Sequence, residues 1–368
     1  MKYIRIILFF LTILTALEAK IIEKNRINSA TMEIFKKFIP IYTQEEQESF
    51  NSLNPYDIKN TVEKLNKLGQ KYFLRPGHLS RLQPPELTEY YSKTLFPGSS
   101  IEEIEALCKV MYDLFEQSEY LQPILPAYKN PQSILILGST IMNMWERITF
   151  FNEMVERGII TISESTKIIF CVGERSLVDY EIKDLQRLEA LHSFSSEEKI
   201  EDERTAGQVI LKIFPFSSKI KEANIRIIMT EKKPNAPRAT TADTIEAWMR
   251  SDLFNENNIL VVSNNPYVEY QTETVLLSLI SQKFIIEESS LDQMGFGSRL
   301  TPETFTIKDV GIYLDNLART LYTLTKIHEI IPPSNYWAMN LLYNFKTNVF
   351  YFFRYIQKSF KPASQITI

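Results

Sequence analysis

From Pro131 onwards the chain alternates between short apolar runs and amphipathic stretches. The apolar runs predict strands buried on both faces of a parallel sheet, because such strands are almost continuously aliphatic. Between them, apolar residues recur every three or four positions, which is typical of helices with one buried face. The predicted strands cover residues 133–137, 167–172, 225–230, 259–263 and 283–287. The predicted helices lie between them, at about 142–157, 183–192, 203–213, 239–250 and 268–281.

This order of elements predicts a fold class. Strands that alternate with helices form a parallel sheet with right-handed crossovers and helices on both faces. We therefore predict an α/β fold with a doubly wound, mainly parallel five-stranded sheet over residues 131–290. Helical additions precede it at 20–130 and follow it at 291–368.

The N-terminal addition is expected to be helical and to cover the sheet. Its apolar periodicity predicts helices at 29–38, 58–68 and about 99–117. Pro84-Pro85 is expected to interrupt regular structure between them. Lys71, Arg75 and His78 are predicted to be solvated, so no chemistry is assigned to this segment.

The C-terminal addition contains a predicted loop and two predicted helices. Residues 288–306, with two glycines and a proline, are expected to form a loop over the mouth of a crevice. Helices are predicted at 307–330 and 334–360, and the second is rich in aromatic residues and carries several cations. Such a helix is expected to close a hydrophobic core, and a membrane surface is its alternative partner.

The first 19 residues resemble a secretory signal peptide. Lys2 and Arg5 precede the apolar run 6–14, and Ala19 offers a small residue for cleavage. The run is short for a membrane span, so a retained anchor is the weaker alternative. The sequence therefore predicts an exported protein, periplasmic or otherwise associated with the cell envelope.

Composition narrows the range of partners. The chain has 368 residues, 44% of them hydrophobic, and a formal net charge of −4, so it has the core of a globular protein and no basic excess for nucleic acid. Cys108 and Cys171 are expected to be buried thiols, with a single disulfide as the alternative. The three histidines are scattered, and no metal site is predicted.

A glycine turn follows the first predicted strand. Gly138 allows a sharp turn, and Ser139 and Thr140 can cap the helix that follows. Free backbone N–H groups at a helix N-terminus attract anions. The turn therefore predicts an anion-binding position, and a plain capped turn is the alternative.

Polar loops also follow the next three strands. The carboxyl ends of parallel strands share one edge of the sheet, where ligands of such folds bind. We predict one crevice in which Arg147 and Arg238 grip a phosphate or carboxylate, while Glu231 and Asp243 accept hydroxyls. No nucleophile with an adjacent base is recognisable, so no catalytic residue is assigned. The predicted ligand-binding residues are Gly138, Ser139, Thr140, Arg147, Gly173, Glu174, Glu231, Arg238, Thr241, Asp243, Ser263, Asn264 and Tyr267.

The order and spacing of these loops resemble those of the bacterial SanA/YdcF/ElyC family of envelope proteins. That family has a glycine turn after the first strand, an arginine-led helix, a second glycine turn and an acidic helix start. A Glu and an Asn-Thr-x-Glu-Asn box follow its third strand. The corresponding elements here, over about residues 131–285, are ILILGST, Arg147, CVGERS, Glu203, Glu231 and the segment 240–244.

The sequence departs from this family in two places. Thr240, Asp243 and Thr244 alter the box and shorten the reach of its carboxylate. Tyr267 follows the fourth strand, where the family carries a histidine, and a tyrosine cannot act as acid or base near neutral pH without a large pKa shift. The resemblance implies an envelope protein with a nucleotide-like ligand, S-adenosylmethionine being one example, and the cofactor is otherwise unknown.

Two functions follow from these observations. The first is an exported protein that binds a small polar or anionic ligand, nucleotide-like or phosphorylated, at the carboxyl ends of the sheet, with no reaction assigned. The second is a catalytically inactive structural or interaction protein of the cell envelope. Fold alone does not separate them.

Overall fold

The structure is a computed structural model that describes residues 22–23, 26–76, 84–193, 200–255, 257–282 and 291–330. The predicted signal peptide, the predicted strand at 283–287, His78 and the predicted helix at 334–360 lie outside these residues. Among the described residues, no helix combines the length and the apolar character needed to cross a membrane.

The strands are β1 (Ile22–Glu23), β2 (Arg26–Ile27), β3 (Ser133–Leu137), β4 (Lys167–Gly173), β5 (Ile225–Thr230), β6 (Ile259–Asn264) and β7 (Leu291–Phe296). The helices are α1 (Ser29–Lys36), α2 (Gln44–Asn51), α3 (Ile58–Tyr72), α4 (Pro84–Leu95), α5 (Ile101–Gln117), α6 (Ile141–Glu156), α7 (Asp179–Leu191), α8 (Glu203–Ile213), α9 (Thr241–Met249), α10 (Tyr267–Ser281) and α11 (Ile307–Ile330). Short 3₁₀ helices occur at Ile39–Ile41 and Glu222–Asn224.

The central sheet confirms the predicted doubly wound α/β fold. Its five strands are all parallel and lie in the order β5-β4-β3-β6-β7. The chain leaves β3 towards β4 and β5, and returns to pair β6 on the other side of β3. The crevice between the carboxyl ends of β3 and β6 is therefore the switch point at which such folds bind ligands.

The fifth strand differs from the prediction. The structure places it at Leu291–Phe296, inside the segment expected to be a loop. Its pattern is hard to recognise because the buried polar residues Asp292 and Gln293 interrupt the apolar run. Gly295, a loop signal in the sequence, lets α10 approach closely, since a Cβ there would overlap the Val268 side chain.

Two apolar layers cover the sheet. On one face, Ile134, Ile136 and Phe170 pack against helices α6, α7 and α8. On the other face, Leu135, Ile169 and Val261 pack against helices α9 and α10. Cys171 lies in this second layer, whereas Cys108 is buried in α5, so both thiols are in hydrophobic cores.

The N-terminal helices form a core of their own instead of covering the sheet. Residues of α1 to α5 pack around the apolar side of α11, and this cluster includes none of the strand residues of the central sheet. The sequence prediction failed here because α11, which begins 190 residues after the end of α5, supplies the apolar surface. Pro84-Pro85 also does not interrupt structure, since α4 begins at Pro84 and proline suits the first turn of a helix.

A tight contact between α4 and α11 gives a test of this helical unit. Gly311 lies against the ring of Tyr91, which is 2% exposed, and a Cβ on Gly311 would overlap that ring. We expect Gly311→Ala to lower the free energy of unfolding by about 1–3 kcal/mol, measured by urea denaturation. In a Tyr91→Leu background the added methyl group should cost much less. A Gly311→Ala variant as stable as the wild type would contradict the packing described here.

Candidate functional site

The polar residues predicted to line a crevice do lie at one edge of the sheet. Gly138 directly follows β3, Gly173 ends β4, Glu231 follows β5, and Asn264 ends β6. These positions are spread along the edge, because β5 and β6 are three strand spacings apart, about 14 Å. The predicted residues therefore divide into an inner group near the switch point and an outer group beside β5.

Arg147 occupies the switch point itself. Its side chain is fully buried. Its Nε donates to Oδ1 of Asn264 (2.8 Å), and its Nη1 donates to the carbonyls of Leu137 (2.5 Å) and Gly138 (3.0 Å). Nη2 is buried and has no hydrogen-bond partner in the described part of the chain. The guanidinium therefore joins the ends of β3 and β6 and keeps one donor unused.

The charge of Arg147 is also uncompensated at short range. No carboxylate among the described residues lies within 4 Å of its guanidinium. Burial lowers the pKa of Arg147 to about 10, while Tyr267 and Glu203 act in the opposite direction. The group thus remains protonated at neutral pH and places a positive charge beneath the crevice.

The turn after β3 is not an open anion site. The Gly138 N–H donates to the Cys171 carbonyl (2.7 Å), and a Cβ on Gly138 would overlap Oε1 of Glu203. The position predicted for an external anion is therefore filled by a carboxylate of the protein. Thr140 stands at the N-cap of α6, but contrary to the prediction its side chain makes no capping hydrogen bond.

The Glu203 carboxylate belongs to a network around Arg175 that the sequence pattern did not predict. Nε of Arg175 donates to Oε2 of Glu203 (2.8 Å), and its two terminal nitrogens each donate to one oxygen of Glu181 (2.8 Å each). Nη2 also donates to the carbonyl of Ser139 (3.1 Å). The Gly173 N–H donates to Oε1 of Glu203 (3.3 Å). Arg175 is thus held in place by two buried carboxylates, and it ties the turns after β3 and β4 together.

Arg238 is a cation without a carboxylate partner. Its side chain is exposed, and none of the described residues forms an ion pair or hydrogen bond with its guanidinium. Surrounding protein lowers the pKa of Arg238, and the guanidiniums of Arg319 and Arg175 lower it further. The Arg238 guanidinium therefore combines solvent exposure with charged neighbours, which are Arg319, Arg175 and the Glu203 carboxylate.

Two further arginines come from outside the α/β part of the chain. Arg319 of α11 donates to Asp315 through Nε (3.0 Å) and Nη2 (3.2 Å), and its guanidinium lies 5.9 Å from the centroid of the Tyr270 ring. The backbone N–H of Arg75 donates to the same Asp315 (2.8 Å). The Arg75 side chain is 19% exposed and lies 4.0 Å from Asp315, so it is not the solvated residue that the sequence suggested.

These side chains produce a local excess of positive charge. Five guanidiniums (Arg75, Arg147, Arg175, Arg238 and Arg319) face three carboxylates (Glu181, Glu203 and Asp315). The difference is two positive charges in a chain whose formal net charge is −4. Tyr267 lies among these side chains. Burial raises the pKa of Tyr267, and the positive charges of Arg75, Arg147 and Arg319 lower it.

The helix ends at the switch point add to this potential. Neither α6 nor α10 has a side-chain cap at its N-terminus, whereas α8 is capped by Asp202 and α9 by Thr240. The N-terminal end of a helix carries a partial positive charge. The two uncapped helices therefore present their positive ends beside the unpartnered donor of Arg147.

Several predicted ligand-binding residues are instead used within the protein. The Ser263 hydroxyl is buried and donates to Oε1 of Gln271. Asn264 accepts from Arg147 and donates to the Asn265 carbonyl (3.0 Å). The Ser139 hydroxyl accepts from Asn143 (3.2 Å). The positions of these residues were predicted correctly, but their polar groups already have partners.

The outer group beside β5 is also internally satisfied. Asp243 accepts from the backbone and hydroxyl of Thr240 (2.8 and 2.7 Å) and pairs with Lys233 (2.6 Å), so it is not free to accept ligand hydroxyls as predicted. Thr241 begins α9, and its carbonyl accepts from the Thr244 hydroxyl (2.8 Å). Glu231 is exposed at the outer edge.

A small cavity of about 220 Å³ lies in this outer region. Glu174, Asp202 and Arg204 line it, and Lys232 pairs with Glu174 at 3.7 Å. Its charges of both signs compensate each other, and it is smaller than typical ligand pockets. Of the two groups of predicted residues, the inner one is therefore the stronger candidate, because it contains the unpartnered donor of Arg147.

Comparison of the chain with models of protein families, with curated proteins and with solved structures gives no match. The resemblance to the SanA/YdcF/ElyC family therefore stays a prediction. In the described part of the chain, no three His, Cys, Asp or Glu side chains are grouped so that they could hold a metal ion.

Proposed function

We propose that this protein binds a small molecule with at least one phosphate-like anion in the crevice between β3 and β6, and that it does so as an exported protein of the cell envelope. Arg238 and the Arg147 guanidinium form the centre of this site, with Arg319 as the third cation. The observation that carries the proposal is the local excess of guanidinium groups, two of which have no carboxylate within 4 Å among the described residues.

Electrostatics supports an anion as the missing partner. A buried charge without a counter-charge is costly, and an anion placed above Arg147 would compensate it. Guanidinium groups bind phosphate bidentately, which is why arginine is common wherever planar recognition of phosphate is needed. The ligand thus completes a charge arrangement that the folded chain leaves incomplete.

A second observation favours ligand binding over a purely structural role. A structural role predicts that Glu231 and Arg238 neutralise each other beneath packed residues. Instead both side chains are exposed, and they form no ion pair with each other. Arg238 is therefore a cation without an ion-pair partner among the described residues, and a purely structural protein has no need of one.

Titration calorimetry with inorganic pyrophosphate tests the proposal. We expect Arg238→Gln to weaken pyrophosphate binding by about tenfold to a hundredfold, because hydrogen bonds to a charged group contribute about 1.5–3 kcal/mol. Arg157→Gln is the matched control: Arg157 is exposed at the opposite end of α6, where it pairs with Glu153. Wild-type protein that binds no pyrophosphate, or equal losses in the two variants, would contradict the proposal.

A further inference from the structure

Two tyrosines stand at the mouth of the crevice. Tyr180 is the second residue of α7 and is 46% exposed. Tyr267 is the first residue of α10 and is half-buried among the arginines. Burial and the Glu181 carboxylate raise the pKa of Tyr180, the Arg175 guanidinium lowers it, and Tyr267 is also close enough to raise it. The aromatic and the cationic side chains therefore share one location.

The two rings approach this location from opposite faces of the sheet. Leu185 and Leu188 bury α7 in the layer that contains α6. Val275 and Leu279 bury α10 in the layer on the other face. The carboxyl edge of the sheet, with the first turn of α6, lies between them. The edge of the sheet therefore lies between two helices that each carry a tyrosine in the first turn.

The position of Tyr180 is fixed by its neighbour. Glu181 is fully buried, binds Arg175 through both oxygens, and accepts from the Val178 backbone N–H (3.2 Å). The backbone next to Tyr180 is thus anchored at the arginine network. Yet Tyr180 itself is exposed and stacks on no aromatic ring among the described residues. A rigidly placed, solvent-facing aromatic side chain beside cations is a surface suited to stacking.

We propose that the anionic ligand also carries a planar aromatic ring, as a nucleoside diphosphate does, and that Tyr180 stacks on this ring while Arg238 and Arg319 bind the phosphates. This inference rests on the anion site proposed above and adds a side chain of this protein that would bind the aromatic part of the ligand. It also gives Tyr180, a residue outside the predicted binding set, a role in specificity.

The test compares inorganic pyrophosphate with the diphosphates of adenosine, guanosine, uridine and cytidine by titration calorimetry. We expect at least one nucleoside diphosphate to bind ten times more tightly than pyrophosphate. Tyr180→Leu should abolish this difference and leave pyrophosphate binding unchanged, whereas Tyr180→Phe should retain it. Tyr56→Leu is the control, because Tyr56 is 67% exposed and lies in the turn before α3, at the end of that helix distant from Arg75.

The outcomes separate the two proposals. If pyrophosphate binds and no nucleoside diphosphate binds more tightly, the aromatic ligand is wrong and the anion site stands. If Tyr180→Leu retains the preference of the wild type, the stacking role of Tyr180 is wrong. If neither pyrophosphate nor any nucleoside diphosphate binds, both proposals fail.

Discussion

Arg175→Met is expected to lower the free energy of unfolding by about 3–5 kcal/mol at pH 7, the range found when one partner of a buried ion pair is removed. Glu181 has no exposed surface and Glu203 is 7% exposed. Arg175 is the cation that pairs with both carboxylates. Without it, two negative charges remain buried close to each other. Urea denaturation at fixed pH measures the loss.

The pH dependence of this loss identifies its cause. Burial already raises the pKa of Glu203, and Arg175 is the main influence that lowers it. In the variant the Glu203 carboxylate should take up a proton more readily, so the loss of stability should shrink as the pH falls towards 5. Arg187→Met is the control, because Arg187 is 80% exposed on α7, the helix that carries Glu181. A loss below about 1 kcal/mol would contradict a buried network.

Glu273→Gln is expected to stabilise the protein at alkaline pH, by up to about 5 kcal/mol at pH 8. Glu273 is 3% exposed on α10, and Glu269 is one helical turn away. Burial, and then the charge of Glu269, raise the pKa of Glu273 to about 8. The folded protein therefore holds a proton that the unfolded chain releases at lower pH.

The sign of the effect follows from this linkage. Because the folded pKa lies above the unfolded one, the free energy of unfolding of the wild type should fall as the pH rises from about 4.5 to 8. Glutamine resembles the protonated carboxyl group and does not titrate, so the variant should lack this decline. Denaturation at pH 4.5, 6 and 8 gives the comparison, with Glu105→Gln as an exposed control on α5. An advantage of Glu273→Gln that does not change with pH would contradict the assignment.

The sheet was largely predictable because its strands are continuous apolar runs. The structure confirms strands within a residue of the predicted ends at Ser133–Leu137, Lys167–Gly173, Ile225–Thr230 and Ile259–Asn264, and it confirms helix Ile307–Ile330. The fifth strand escaped prediction because Asp292 and Gln293 are polar yet buried. Periodicity registers burial only through apolar side chains, so a buried polar pair looks like a loop.

The candidate site was predictable in position but not in chemistry. Topology alone brings the strand ends to one edge, which is why the sequence could place Arg147, Arg238 and Tyr267 near each other. Whether a polar group is free depends on contacts between distant segments. Ser263 is bonded to Gln271, and Gly138 lies beneath Glu203, and neither contact is visible in local sequence.

The contribution of helices α1 to α5 and α11 to the candidate site was the hardest part to predict from the sequence. Arg75 and Arg319 belong to segments with no strand signal, separated by more than 200 residues, and Asp315 brings them together. Their common partner joins the N-terminal helices to α11, and both arginines are close enough to Tyr267 to lower its pKa. Arg75, which the sequence suggested was solvated, thus belongs to the group of five arginines around the candidate site.

Diffraction from a crystal of the protein soaked in sodium tungstate, a phosphate analogue with strong anomalous scattering, would locate a bound anion. We expect an anomalous peak within hydrogen-bonding distance of the Arg238 guanidinium, beside the N-terminus of α6 and on the side of the crevice that Arg319 faces. Tungstate that binds only at lysines outside the crevice, with no peak at Arg238, would contradict it.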